Sequence, residues 1–329
     1  SAFDICVAKF MRQSIDLKSM VKDAEKAKYV KIVLDTDETL VLQTIAMLSE
    51  KTPKKNKLAD VLDKTDIDNY WDRVIESMST TMELLDDFGA GTRKNLLLLP
   101  YKPIIPLITA VLVNRDYKNM RIDVKANIEQ KIKLFFFYTS LVSRYAEGTD
   151  NKLKEDYQLL LKWIISDQVP SIVSDGILWN TSKYITITKK SAFGKAVLCL
   201  INAQKPRDFY ENKMVGIGEN VETSQIHHIF PEAQYKGMAG ESINSIFNYT
   251  FLTGEANNFI NNKETGKYIS EILQIRGISE ETFKDMLSKH IIDEECYKYI
   301  CSENYEQFLE KRADCIRKKF AGMGIRIQN

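Results

Sequence analysis

The chain has 329 residues, with 46 Lys and Arg against 45 Asp and Glu and a formal charge of +1, so no global field draws it to nucleic acid or acidic membranes and any such site has to be local. With 44% hydrophobic and 28% charged residues, 14 Gly and 7 Pro, the composition suits a soluble, mainly helical protein long enough for two cores. The five cysteines (Cys6, Cys199, Cys296, Cys301, Cys315) are odd in number and show neither a CxxC pair nor zinc-ligand spacing, which reads as reduced thiols in a cytoplasmic protein.

The longest apolar runs, IIPLITAVLV and LFFFYTSLV, are about half the length a membrane span needs, and no signal peptide is visible. SAFDICVAKF reads as the inside of a helix, so the chain reads as a piece of a longer protein. Helical periodicity dominates up to residue 182. Trp71, Val74, Ile75, Met78, Met82 and Leu85 share one face of a helix that stops at Gly89. Residues 38–50, 127–146 and 151–167 follow the same pattern. Pro100, Pro103 and Pro106 mark the entry to a further helix, whose apolar run reads as buried on most sides. Trp71 and Trp163 read as core. RYAEGTD (144–150) offers an Arg and a Gly to a phosphate, but a helix end followed by a turn is the better reading.

From residue 183 the texture changes. Tyr184, Ile185, Thr186, Ile187 and Thr188 alternate like a short strand, and SAFGKAVLCLINAQ follows as a helix. After a loop with Gly216 and Gly218, two of the chain's three histidines stand together in SQIHHIFPEAQY. Ser224–Phe230 forms a strand that stops at Pro231, KGMAGESIN a loop, Phe247–Leu252 a second strand, and GEANNFINNKETGKYISEIL a helix.

Phosphodiester hydrolysis with one metal needs a base for water and a cation for the developing negative charge. Imidazole is the natural base near neutral pH. Neighbouring strand residues point to opposite faces, so His227 and His228 can divide that labour only if something locks the local twist; Pro231 and the Asn248 amide are the candidates. The amide oxygen of Asn257 can complete a metal site, and Asn248 can hold the loop or orient His228 through its backbone.

The run HHIFP, then SIFNYTFLT, then the Asn of EANN resembles the ββα-metal fold of HNH nucleases. That resemblance implies His227 and Asn257 as ligands of a divalent ion (Mg²⁺, Mn²⁺ or Ni²⁺), His228 as general base and Asn248 as the middle Asn. Asn258 and Asn261 are neighbours able to share the last ligand role. Many relatives have Asp where His227 stands, which leaves the metal open, because imidazole suits transition ions better than Mg²⁺. The order of segments over nearly the whole chain, closing on YEQFLEKRADCIRKKF, is similar to the C-terminal part of GmrSD-type restriction proteins, which act against phage DNA. The resemblance implies a ParB-like nucleotidase domain upstream of residue 1, and its nucleotide-binding motif does not occur here.

The expected architecture is therefore a helical scaffold over 1–182 followed by a small HNH-like nuclease with C-terminal helices over 183–329. The expected partner is DNA; an RNase, or a non-catalytic DNA-binding or docking module, are the alternatives. Lys183, Lys189, Lys190, Lys195, Lys205, Arg207 and Lys213 surround the motif, opposed by Asp208 and Glu211. Of these, Lys189, Lys190, Lys195, Lys205 and Arg207, with Asn261 and Lys263, are candidates to track phosphates; a solvated face is the alternative. His228 is expected to donate from Nδ1 to a backbone carbonyl, leaving Nε2 free, in a groove bordered by these lysines. His290 reads as a helix-face residue. Lys311, Arg312, Arg317, Lys318 and Lys319 read as the polar side of the last helix, with Phe308, Leu309, Cys315, Ile316 and Phe320 facing inward.

Overall fold

The computed structural model describes residues 1–218 and 224–328. The protein is mainly helical, with eighteen α-helices and four short strands among the described residues, none of the helices long and apolar enough to cross a membrane. It forms two compact units, Ser1–Asp86 with Tyr101–Asp175 and Asp87–Pro100 with Gly176–Asn329. Residues 87–100, which nothing in the sequence separates from the helices around them, belong to the second unit.

The first unit is built around the helix Ile104–Asn114, whose residues 104 to 113 are all buried. Its entry uses Pro103 as the flanking residue and Pro106 in the first turn, where a missing N–H costs nothing. The helices Lys64–Leu85, Thr39–Leu48 and Thr149–Ser166 pack against it. Lys64–Leu85 buries the stripe expected of it, Trp71 to Leu85, and starts at a capping box between Asp63 and Asp66. The Lys51 ammonium bridges both carboxylates at 3.0 and 2.5 Å. RYAEGTD is the turn after the helix Ile122–Leu141, and its Arg144 is held by Asp156 at 3.1 and 2.7 Å. Asp156 is 1% exposed, so this guanidinium serves a buried carboxylate rather than a phosphate.

In the second unit the helix Ala192–Asn202 is almost wholly buried. Gly89 lies on it at φ 92°, and a Cβ there would stand 1.9 Å from the Cys199 carbonyl oxygen. Asn202 seals the contact, donating to the Gly89 and Ile217 carbonyls at 2.9 and 2.8 Å. Gly89→Ala is expected to destabilise the protein by about 2–4 kcal/mol, from positive-φ strain plus the clash. A urea melt checks this, and an unchanged midpoint would mean that the backbone yields there.

Residues 184–188 are not a strand. Thr181–Tyr184 is one helical turn capped by Asn180, and Tyr184 packs its ring 5.0 Å from Trp179 and 4.3 Å from Phe193. Burying that one aromatic outweighs the β-propensity of its branched neighbours. The hairpin beyond it pairs Ser224–His228 with Tyr249–Thr253, antiparallel, with His227 opposite Thr250 and His228 opposite Tyr249. KGMAGESIN is not a plain loop: the helix Glu232–Ala239 starts at Pro231, and a 3₁₀ turn follows over Gly240–Asn244. The last expected helix is broken into Gly254–Ile260 and Thr265–Arg276, with Asn261 at φ 41° between them.

The helix Tyr305–Gly322 buries Phe308, Leu309, Ile316 and Phe320. Arg312, assigned above to its polar side, is instead 0% exposed. Its guanidinium donates to the Phe247 and His290 carbonyls at 2.6 and 3.1 Å, which is how a cation is tolerated inside.

Candidate active site

The hairpin ladder ends at His228 and Tyr249, and Asn248 takes over from it. The Asn248 carbonyl accepts from the Ile229 N–H at 2.8 Å. Its side-chain oxygen accepts from the Phe230 N–H at 2.9 Å, while its amide nitrogen donates to the Phe230 and Ile243 carbonyls at 3.1 and 3.0 Å. Asn248 is 0% exposed. A side-chain amide thus replaces a strand partner and fixes the chain where it leaves the ladder for Pro231.

His227 and His228 line one open cleft of about 640 Å³, together with Pro231, Glu232, Lys236 and Asn257. Their rings stand 6.1 Å apart and nearly perpendicular. Both are half-buried, and burial pushes each imidazole below the ordinary histidine range, His228 to about 4, so both are neutral at pH 7. His228 lies against the Tyr249 ring at 4.3 Å. The Asn244 side-chain oxygen accepts from the Tyr249 hydroxyl at 2.8 Å and faces His228 Nε2 at 3.3 Å. That oxygen can only accept, so Nε2 carries the hydrogen and Nδ1 is the lone-pair nitrogen, the reverse of the expected tautomer.

The other side of the cleft is the helix Gly254–Ile260, started by Thr253. Buried Asp208 accepts from the Thr253 N–H at 2.7 Å, so this carboxylate is structural rather than a counter-charge to lysines. Asn257 donates to the Gln225 side-chain oxygen at 3.2 Å, which ties the helix to the histidine strand. Asn258 and Asn261 line the cleft as well.

Of the basic candidates, Lys189 stands beside the histidine strand, its charge acting on both imidazoles, while the others are engaged elsewhere or lie off the cleft lining. Lys189 is half-buried; its ammonium reaches the Ile226 carbonyl at 3.3 Å and lies 4.3 Å from the centre of the Tyr249 ring. Lys195 donates to the Leu99 carbonyl at 3.1 Å, and Arg207 to Asn212. Lys263 pairs with Glu271 at 2.7 Å over the Phe259 ring. Lys190 and Lys205 are exposed and are not among the lining residues. Among the described residues, the cation lining the cleft is Lys236, paired with Glu232 at 3.1 Å. Glu232, Lys236 and Asn244 were missed in the sequence. The available signal was Pro-Glu at 231–232, separated from the histidine pair by two residues, a helix-start pattern.

Whether a divalent ion suits this place is answered by His227. Its Nδ1 is buried and has no hydrogen-bond partner among the described residues, an arrangement that costs free energy unless something occupies the lone pair or takes the hydrogen. The His227 imidazole, the Asn257 amide on the facing helix and the Glu232 carboxylate line the same cleft, and these are donor types that such an ion accepts.

His290, expected as a helix-face residue, lies in the turn after the helix Glu280–Ser288 and is 0% exposed. Its Nε2 meets the Arg207 carbonyl at 2.7 Å and its Nδ1 the Thr250 hydroxyl at 2.5 Å. Since a carbonyl only accepts, His290 is the neutral Nε2–H tautomer, and it supports Thr250, the ladder partner of His227. Burial depresses its pKa to about 3. The unfolded value is about 6.5, so its stabilising contribution is complete above pH 6.5 and is lost as pH falls toward 3. His290→Gln is expected to flatten the dependence of stability on pH between 6.5 and 4. Chemical melts across that window check it, and equal slopes in both proteins would refute it.

No family model matches the chain. It is 24% identical over 354 aligned residues to an uncharacterised protein of Methanocaldococcus jannaschii, MJ0686, in a match that covers 97% of this chain and 58% of that protein. The chain thus spans less than two thirds of this relative, whose name describes no activity.

Proposed function

We propose that the second unit is a metal-dependent endonuclease of the HNH, ββα-metal type, hydrolysing DNA phosphodiesters, and that the chain is a relative of GmrSD-type phage-defence proteins. The observation that carries this reading is the buried Nδ1 of His227, without a partner among the described residues, on a ring that lines one cleft with a second neutral imidazole and Asn257. The antiparallel strand pair of 224–253, interrupted by a short helix and followed directly by the helix Gly254–Ile260, supports it, as does the Asn248 lock, which meets the need for a fixed twist after two adjacent histidines.

In this reading His228 takes a proton from water at Nδ1, while Asn244 and Tyr249 hold its ring. Asn248 sets the backbone that aims it. His227 and Asn257, with Glu232 within the same cleft, would hold a divalent ion, which when bound supplies positive charge to the phosphate and leaving oxygen. Lys236 supplies the cleft's own positive charge for the substrate backbone. Because His228 works as the neutral base and burial depresses its pKa to about 4, activity is expected to fall only as pH drops toward 4. An acid limb at the ordinary histidine value of about 6.5 would contradict the desolvated base.

The test is the metal requirement. Two neutral ligands and a carboxylate already paired with Lys236 hold the ion weakly, so wild-type cleavage of DNA should need millimolar divalent ion and stop in excess EDTA. His227→Ala should raise the ion concentration for half-maximal rate about tenfold or more, with the rate at saturating metal much less affected. Full activity in EDTA, or an unchanged metal requirement in His227→Ala, would remove the metal from the account.

A further inference from the structure

A second cluster lies on the C-terminal helices, apart from the cleft. Cys296 sits in the first turn of the helix Glu294–Cys301, whose flanking residue is Asp293, and Cys315 on the helix Tyr305–Gly322. A carboxylate oxygen of Asp293 and the two sulfurs all lie within 4.8 Å of one another. Asp293 divides its oxygens: Oδ1 accepts from the Cys296 N–H at 2.8 Å as the helix cap, and Oδ2 accepts from the Cys315 thiol at 3.2 Å. Oδ2 also meets the Lys311 ammonium at 3.4 Å.

We propose that Asp293, Cys296 and Cys315 form a site for a thiophilic divalent ion, Zn²⁺ by its chemistry, with water or an outside ligand in the fourth position. Zn–S and Zn–O bonds of about 2.3 and 2.0–2.2 Å place tetrahedral ligand atoms about 3.5–3.8 Å apart, so the three atoms close on an ion by small side-chain rotations. Asp293 Oδ1 keeps its cap while Oδ2 turns from the thiol and the ammonium to the metal. Binding releases the two thiol protons, one from each cysteine, and leaves the ion held by two thiolates and one carboxylate.

The net charge of the cluster is unchanged by that product. Arg312, one turn from Cys315 on the same helix and close enough for both thiols to act on its charge, is fully buried. Among the described residues its hydrogen bonds go to two neutral carbonyls and its Nε has no partner. A buried cation without an opposite charge is costly. The Asp293 carboxylate with two neutral thiols carries a single negative charge, and a Zn²⁺ with two thiolates and that carboxylate carries the same, so loading adds no positive charge beside Arg312.

Cobalt reads this site without reference to cleavage. The full chain, reduced with a phosphine, stripped with chelator and shown by thiol titration to hold all five free cysteines, is titrated with Co²⁺. The expected result is a near-ultraviolet thiolate-to-cobalt band saturating at one ion per chain and removed by one equivalent of Zn²⁺. Cys315→Ser, at a partly exposed position that tolerates a small polar side chain, should lose the band, and so should Cys296→Ser. Cys301→Ser and His227→Ala should keep it, the latter separating this ion from the one proposed in the cleft. No thiolate band with five thiols present, or a band that survives in Cys315→Ser, would overturn the site.

Discussion

His228→Ala is expected to slow DNA cleavage by roughly 10²–10⁴-fold, the usual contribution of a positioned general base, while DNA affinity and the metal requirement stay near wild type. The expectation rests on separate work for neighbouring rings. His228 is held through Nε2 by Asn244 and against Tyr249, leaving Nδ1 for water, whereas His227 keeps its own Nδ1 for the ion. Alanine removes the base and leaves the His227 lone pair in place. Its fold cost should be small, since the lost contacts are one long hydrogen bond and one ring face. If His228→Ala instead changes the metal requirement and leaves the saturated rate intact, the two histidines have exchanged roles. Loss of DNA binding together with cleavage would favour a docking or binding surface over a catalytic one.

Asn248→Leu is expected to be the most damaging single change to the second unit, at about 3–6 kcal/mol. It strips partners from the Phe230 N–H, the Phe230 carbonyl and the Ile243 carbonyl, and a buried polar group left unmade costs about 1–3 kcal/mol. Leucine is close in size, so the effect separates hydrogen bonding from volume. Urea melts give the loss, and hydrogen exchange at the Phe230 amide locates it. A shift below about 1 kcal/mol, which would require the freed groups to find other partners, would show that the Asn248 lock is not what fixes the strand exit.

What could be seen in the sequence follows physical range. The helices of the first unit were legible because a one-sided apolar stripe such as Trp71 to Leu85 is a local signal. Two strands and a following helix around the histidines were legible in the same way, with edges misplaced by a few residues, but the helix Glu232–Ala239 between the strands and the break at Asn261 were not. Tyr184–Thr188 misled because its alternation is real, but its fate was decided by Trp179 and Phe193, which the local pattern cannot weigh. Pro231 was read only as a strand stop, although Pro followed by Glu also begins a helix, and that oversight hid Glu232 and Lys236. The buried roles of His290 and Arg312 depend on carbonyls 83 and 65 residues away, and nothing local announces them. Cys296 and Cys315 lie on different helices, so no ligand spacing betrays their meeting. Which lysines stand near the cleft was not legible, because charge along a chain says nothing of which carbonyl each ammonium will find.

The most direct measurement of the central claim is an incubation of the full chain with plasmid, single-stranded DNA and RNA, each with Mg²⁺, Mn²⁺ or Ni²⁺ and each repeated in EDTA. The account predicts cleavage of DNA with at least one of these ions, none in EDTA, and little or none of RNA. DNA left intact under every ion, or RNA cut in preference to DNA, would contradict it.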